Sequence, residues 1–246
     1  MLFQIDGTKT RLAGSMHVLP KGQPIPDWVE SNYHWSNSLY LEHDEQAVIP
    51  KLFLPADQTS QQFFSPDTWV NLTAAWPAHL GPLTRWKLWM IPPLLALSTV
   101  PTDAGVEPRL IQLARADNRP IGYLEAESEF VSFAESIPNS ICIAGIERIL
   151  EDPSFARHQT ETMYEAWKQG NVERVTELFA STQLMRFPIV KKALIDDRNS
   201  LWLGRITTLL TLPDPTLIVV GGGHLGGENG LLQLLTRAGH SLSQLA

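Results

Sequence analysis

The stretch VVGGGHLGGENGLLQLLTRAGHSL, Val219 to Leu242, constrains this chain more than any other. The apolar run PTLIVV leads into it without a charge, which predicts a fully buried strand. Three glycines and His224 follow, and the spacing in ENGLLQLLTRAGH then predicts a helix. The glycines at 221–223 and Gly226 are expected to turn the backbone sharply, at positive φ, so that His224 faces inward. They could also cradle an anion at the start of the next helix. No Gly-Lys-Ser/Thr follows them, however, and a G-x-G-x-x-G forced onto Gly221, Gly223 and Gly226 lies at the wrong end of the chain for a dinucleotide fold. Near the other end, TRLAGSMHVLP (Thr10–Pro20) carries a second Gly-x-x-His, again after a short apolar segment.

Between these segments the pattern changes. LFQIDGTKTRLAG reads as a hairpin turning at Gly7, and SLYLEHD, IGYLEAES and SLSQL read as short strands. PDWVESNYHWSN and GVEPRLIQLARADNRP read as helices. The stretch from Ser65 to Leu97 looks helical with breaks at Pro77, Pro82 and Pro92-Pro93, and Glu127–Leu210 is mostly helical by its apolar spacing of three and four. The fold class expected is therefore α/β: a central mixed sheet built from N- and C-terminal strands, with a large, mostly helical middle insertion (about 65–97 and 127–210). We expect a single domain over 1–246, with the Trp- and Pro-rich part of the insertion forming a wall or lid over a pocket.

Composition narrows the class. With 43% hydrophobic and 18% charged residues, the chain suits a globular protein rather than a disordered one. Its net charge of −7 and the lack of a basic run argue against a nucleic-acid partner. One cysteine, Cys142, excludes an internal disulfide and a cysteine-rich zinc site. LWMIPPLLALSTVPT, the longest uncharged stretch, falls short of the ~20 residues of a membrane span and is interrupted by two prolines. It reads as core, and the sharper reading is a lid or a self-association face, which leaves a homo-oligomer open. MLFQIDGTKTRLAGS has no basic and apolar leader pattern, so the expected compartment is cytoplasmic.

In an α/β sheet, ligands sit beyond the carboxyl ends of the strands. His17, Glu42, Glu125 and His224 each follow a predicted strand, so four strands would deliver two imidazoles and two carboxylates to one edge. Each has a plainer reading: a hydrogen-bonded structural histidine, or a solvated carboxylate at a strand end. His43 is the remaining histidine close to this set, as a partner for Glu42 or as a solvated neighbour.

LAGSMHVLP, LYLEHD, RPIGYLEA, DDRNSLWLGRI and LIVVGGGHLGGENGLLQLLTRAGHSL, in this order, resemble the TraB/GumN family, related to the Tiki peptidases. The family pattern is two Gly-x-x-His motifs with acidic residues between them and an Arg-Asn on a late helix. The resemblance implies a fold like the erythromycin-esterase/ChaN group and a site shared by the two halves of the chain. It assigns His17 and His224 as the motif histidines, Glu42 and Glu125 as the acids, and Arg198 as the late arginine. It implies a metal-dependent hydrolase of peptidase type acting on a peptide or small molecule. The expected metal set is His17, Glu42 and His224, and the expected catalytic residues are Glu42, Glu125 and Arg198. Two imidazoles and a carboxylate leave positions open on a divalent ion, and Mn²⁺, Co²⁺ and Zn²⁺ all accept such a set. A bound ion would acidify water towards pKa ~7, with the second carboxylate as general base and Arg198 steadying the oxyanion. The plainer reading of Arg198 is a salt bridge to Asp196, Asp197 or Glu228. Two alternatives stand beside this: a non-catalytic protein that binds a peptide or small ligand, and a metal-independent esterase using the same residues.

Overall fold

A computed structural model describes residues 1–246. Strands β1 (Leu2–Ile5) and β2 (Thr10–Ser15) form the expected hairpin, with Gly7 in its turn at φ 75°. A six-stranded sheet has the order β6-β4-β7-β2-β1-β8, where β4 is Ser38–Leu41, β6 Ile121–Tyr123, β7 Thr216–Gly221 and β8 Leu242–Gln244. The four strands β6, β4, β7 and β2 are mutually parallel, and β1 and β8 add an antiparallel edge. The fold is thus α/β with a mixed sheet. Every residue of β7 is buried, as its uninterrupted apolar run requires for a central strand covered on both faces.

Helices α1 (Asp27–Trp35), α2 (Glu45–Val48), α3 (Pro66–Ala75), α4 (Ile91–Ser98) and α5 (Val106–Ala116) fill the first half. Then come α6 (Glu127–Glu135), α7 (Asn139–Glu151), α8 (Ser154–Lys168), α9 (Val172–Ala180) and α10 (Pro188–Lys191). A π-helical turn, Lys192–Asp196, runs directly into α11 (Asp197–Leu209), and α12 (Leu231–Arg237) precedes the last strand. No helix is long and apolar enough to cross a membrane. Pro92-Pro93 does not break α4 but lies in its first turn, where an amide proton has no intrahelical acceptor to lose. A small second sheet, absent from the sequence reading, pairs β3 (Val18–Pro20) antiparallel to β5 (Thr102–Ala104). Both strands are only three residues long, too short to leave a period in the sequence.

The core has two parts. One surrounds the large sheet and includes Leu12, Leu39, Leu217–Val220, Trp167 and Trp202. The other lies within the helical middle, where Leu72, Trp86, Ile91 and Leu95 meet Ile146 and Val190. The Trp-rich segment touches helix α6 through Trp89, whose ring meets Phe130 edge-on at 5.9 Å.

Candidate functional site

Because four neighbouring strands are parallel, their carboxyl ends share one edge of the sheet, and that edge gathers the predicted residues. Glu42 follows β4, Glu125 follows β6, His224 lies in a 3₁₀ turn after β7, and His17 follows β2. The β4–β6 ladder continues beyond both strands, with Glu125 N–H donating to the Glu42 carbonyl at 2.9 Å, so the backbone itself sets the two carboxylates side by side. His17 Nε2 stands 3.9 Å from Glu42 Oε1, and His224 Nε2 stands 3.8 Å from the same oxygen.

Arg198 occupies the middle. It is almost wholly buried, and it binds neither Asp196, Asp197 nor Glu228. Asp196 and Asp197 pair instead with Lys191 and Lys192, each five residues earlier, a spacing that the π-helical turn brings into register. Arg198 Nη2 donates to Glu42 Oε2 and to Glu125 Oε1, both at 2.6 Å, and Nε donates to Glu125 (3.1 and 3.2 Å). Nη1 donates to the Leu194 carbonyl and to His224 Nε2, both at 3.2 Å. All five guanidinium N–H groups are thereby used. Trp202 (4.5 Å) and Phe130 (5.1 Å) flank the cation.

Glu125 is saturated. Besides Arg198, it accepts from Trp202 Nε1 (3.1 Å) and contacts His43 Nδ1 (3.2 Å), so His43 is tied to Glu125 rather than to Glu42. The His43 ring stacks on Phe130 at 4.3 Å. Glu42 accepts from Gly221 N–H at 2.6 Å. Burial opposes the charge on Glu42, but Arg198, then His224, His17 and His43, outweigh it and hold the carboxyl well below the usual carboxylate range.

The two motif histidines are held differently. Asn199 Nδ2 donates to the carbonyls of His224 (3.1 Å) and Asn229 (2.8 Å), which fixes its amide so that Oδ1 faces His224 Nδ1 at 2.7 Å. His224 therefore carries its proton on Nδ1 and directs the Nε2 lone pair into the site. Burial lowers its pKa to about 3, with Glu42 opposing and Arg198 reinforcing, so the ring stays neutral. His17 is 58% exposed at the mouth. Its Nδ1 lies 2.9 Å from Glu107 Oε1, which the Ser15 hydroxyl also contacts. Attraction to Glu107 raises the His17 pKa to about 10, against its desolvation and with smaller help from Glu42 and Glu45. Burial opposes the charge on Glu107 as well, yet His17 keeps its pKa lowered; Glu107 Oε2 is buried with no hydrogen-bond partner.

The glycines serve close approach rather than the expected positive φ. Gly221 sits at φ −54°, and of the glycines between 221 and 227 only Gly227 is left-handed, at φ 86°. A Cβ on Gly221 would lie 2.8 Å from His17 Nε2 and 3.3 Å from Glu42 Oε1, so bare backbone is what lets its N–H reach Glu42. A Cβ on Gly105 would lie 2.1 Å from the Met16 carbonyl oxygen. Gly105 and Val106 N–H donate to the His17 and Met16 carbonyls (both 3.1 Å), tying the His17 loop to the first turn of α5, which carries Glu107.

Glu107, Gly105 and Trp202 were missed from the sequence. Glu107 had one weak signal, an acid two residues after a glycine in the first turn of an amphipathic helix. Solvated first-turn acids are common, so the signal does not discriminate.

The sequence matches the TraB/PrgY/gumN family over residues 1–244. The chain belongs to this family. No curated protein and no solved structure gives a match.

Two donor sets could serve a metal ion in this family member. Glu42, His43 and Glu125, with ligand atoms all within 4.8 Å of one another, form a group that could hold one. Arg198 already neutralises both of its carboxylates at 2.6 Å. The second set, His17, Glu42 and His224, is more open and centres on Glu42 Oε1. In this set each imidazole has Nδ1 engaged by an acceptor behind it, and each Nε2 faces Glu42 Oε1, although His224 Nε2 also accepts from Arg198 Nη1. For bonds of ~2.0–2.2 Å, tetrahedral ligands lie roughly 3.4 Å apart, slightly closer than the 3.8 and 3.9 Å found here.

Proposed function

We propose that this chain is a metal-dependent hydrolase of peptidase type, cleaving an amide or ester bond in a peptide or small molecule. The observation that carries the reading is the pair of imidazoles aimed at one oxygen of Glu42, each with its Nδ1 held by a dedicated acceptor. His17, Glu42 and His224 are the metal ligands, and His17, at the mouth, is the one free to close on the ion. A bound divalent ion supplies an acidified water and polarises the scissile carbonyl. His17 enters the set by giving up its proton, and Glu107 then orients the neutral ring through Nδ1.

Glu125 acts as the general-base carboxylate through His43. Its own lone pairs are taken up by Arg198 and Trp202, whereas an imidazole held at Nδ1 can take a proton at its other nitrogen. Arg198 keeps Glu42 ionised and holds Glu125 in place through its Nε and Nη2 hydrogen bonds. Its Nη1–H donates to the His224 Nε2 lone pair in the metal-free chain; once that lone pair is a ligand, this N–H can be given to a substrate oxygen as charge develops there.

The test begins with protein stripped of metal. Addition of Mn²⁺, Co²⁺ or Zn²⁺ should raise the melting temperature and elicit turnover of a peptide library, and His17→Ala or His224→Ala should remove both effects. Ester turnover with no metal-dependent shift would favour the metal-independent esterase instead. Neither binding nor turnover would favour a non-catalytic peptide- or ligand-binding protein.

A further inference from the structure

The two donor sets share Glu42, one oxygen each: Oε1 faces His17 and His224, and Oε2 faces Arg198 beside Glu125. A carboxylate shared in this way, with a further carboxylate and an imidazole behind it, is the frame on which two-metal hydrolytic centres are built. We infer that the Arg198 guanidinium permanently occupies the place of a second divalent ion, so that the centre takes one ion per chain and not two. The inference rests on the metal-dependent reading above and adds the number of ions and the residue that fixes it.

Three observations support it. Arg198 Nη2 lies 2.6 Å from an oxygen of both Glu42 and Glu125, the two carboxylates of the Glu42–His43–Glu125 group. The guanidinium is also held independently of His224, since four of its N–H groups have acceptors on Glu42, Glu125 and Leu194 and two aromatic rings flank the cation. An arginine cannot vacate such a position by deprotonation.

Charge supplies the third. The buried carboxylates of the centre are Glu42, Glu107 and Glu125. One guanidinium and one divalent ion neutralise these three with both motif imidazoles uncharged. A second divalent ion would leave a buried excess of positive charge, which a low-dielectric site penalises heavily.

Stripped protein dialysed against excess Mn²⁺ and counted by elemental analysis should hold one ion per chain. Arg198→Ala, checked for folding by circular dichroism, should hold two, with the electron paramagnetic resonance signature of a coupled Mn²⁺ pair. Adding Glu125→Gln to that variant should return the count to one, and Arg198→Lys alone should stay at one. A wild-type count of two overturns the inference while leaving the metal-dependent reading intact, and so does a folded Arg198→Ala that remains at one. A wild-type count of zero overturns the metal reading and this inference with it. Should Arg198→Ala not fold, the wild-type count and Arg198→Lys still decide between one ion and two.

Discussion

The two Gly-x-x-His motifs end neighbouring parallel strands, β2 and β7, yet their imidazoles sit in opposite states. His224 is buried and neutral, its pKa lowered to about 3, with the amide of Asn199 behind it. His17 stands at the mouth, its pKa raised to about 10, with the carboxylate of Glu107 behind it. An amide oxygen accepts a hydrogen bond without carrying charge, so it fixes a tautomer, whereas a carboxylate stabilises the protonated ring. The same four-residue motif thus yields one neutral imidazole and one protonated imidazole. Which it becomes is decided by a residue far away in sequence.

The largest test of this asymmetry is stability. His224→Ala removes a buried ring, leaves Asn199 without its partner and should cost about 3 kcal/mol in urea unfolding. His17→Ala should cost less than about 1 kcal/mol, because water at the mouth screens its pairing with Glu107. Equal costs would break the comparison.

The groups behind the rings give the next effect. Glu107→Gln and Asn199→Ala should each weaken Mn²⁺ or Zn²⁺ binding by roughly 10–100-fold, measured by calorimetry. Only Glu107→Gln should bring the His17 titration, followed by NMR, down towards ~6.5. Were both variants to leave that titration unchanged, Glu107 would not be the source of the raised pKa.

The pH response sharpens the contrast by its sign. His17, raised, contributes stability to the metal-free protein that is present below ~6.5 and lost as pH rises through about 10. His224 is lowered: the unfolded chain takes up a proton below ~6.5 while the folded chain does not until about 3, so stability falls as pH drops through that window. Melting temperature against pH should therefore decline on both sides, with His17→Ala flattening the alkaline limb and His224→Ala the acid limb. Metal uptake near neutrality should also release a proton, visible as a buffer-dependent heat.

The smallest effect concerns the motif glycines. Gly14→Ala meets the ends of the Leu225 and Met1 side chains at 2.6 and 2.8 Å and the Gly222 Cα at 3.3 Å, and should cost about 1 kcal/mol of stability with metal affinity unchanged. Gly221→Ala meets His17 Nε2 and Glu42 Oε1 and should lower metal affinity with a similar small cost in stability.

Much of the fold was legible because its signals are periodic. The hairpin at Gly7, the buried run before Gly221 and the amphipathic spacing of α5 and α9 each repeat over enough residues to fix an element. The convergence of His17, Glu42, Glu125 and His224 was also readable, because strand ends in an α/β sheet share an edge once the strands are parallel. The three-residue strands β3 and β5 carry no period, and their pairing depends on Gly105 admitting the Met16 carbonyl, a contact between distant segments.

The sequence by itself marked His17, Glu42, Glu125 and His224 as side chains at strand ends, since strands follow from hydrophobic pattern and short-range turn chemistry. Only the tertiary structure decided what those side chains are. That Arg198 spends its N–H groups on Glu42 and Glu125, that His43 leans on Glu125, and that one histidine is charged and the other neutral all depend on partners brought within 4 Å across the chain. Protonation and hydrogen bonding are set by distance and burial, and neither is carried by residue spacing alone.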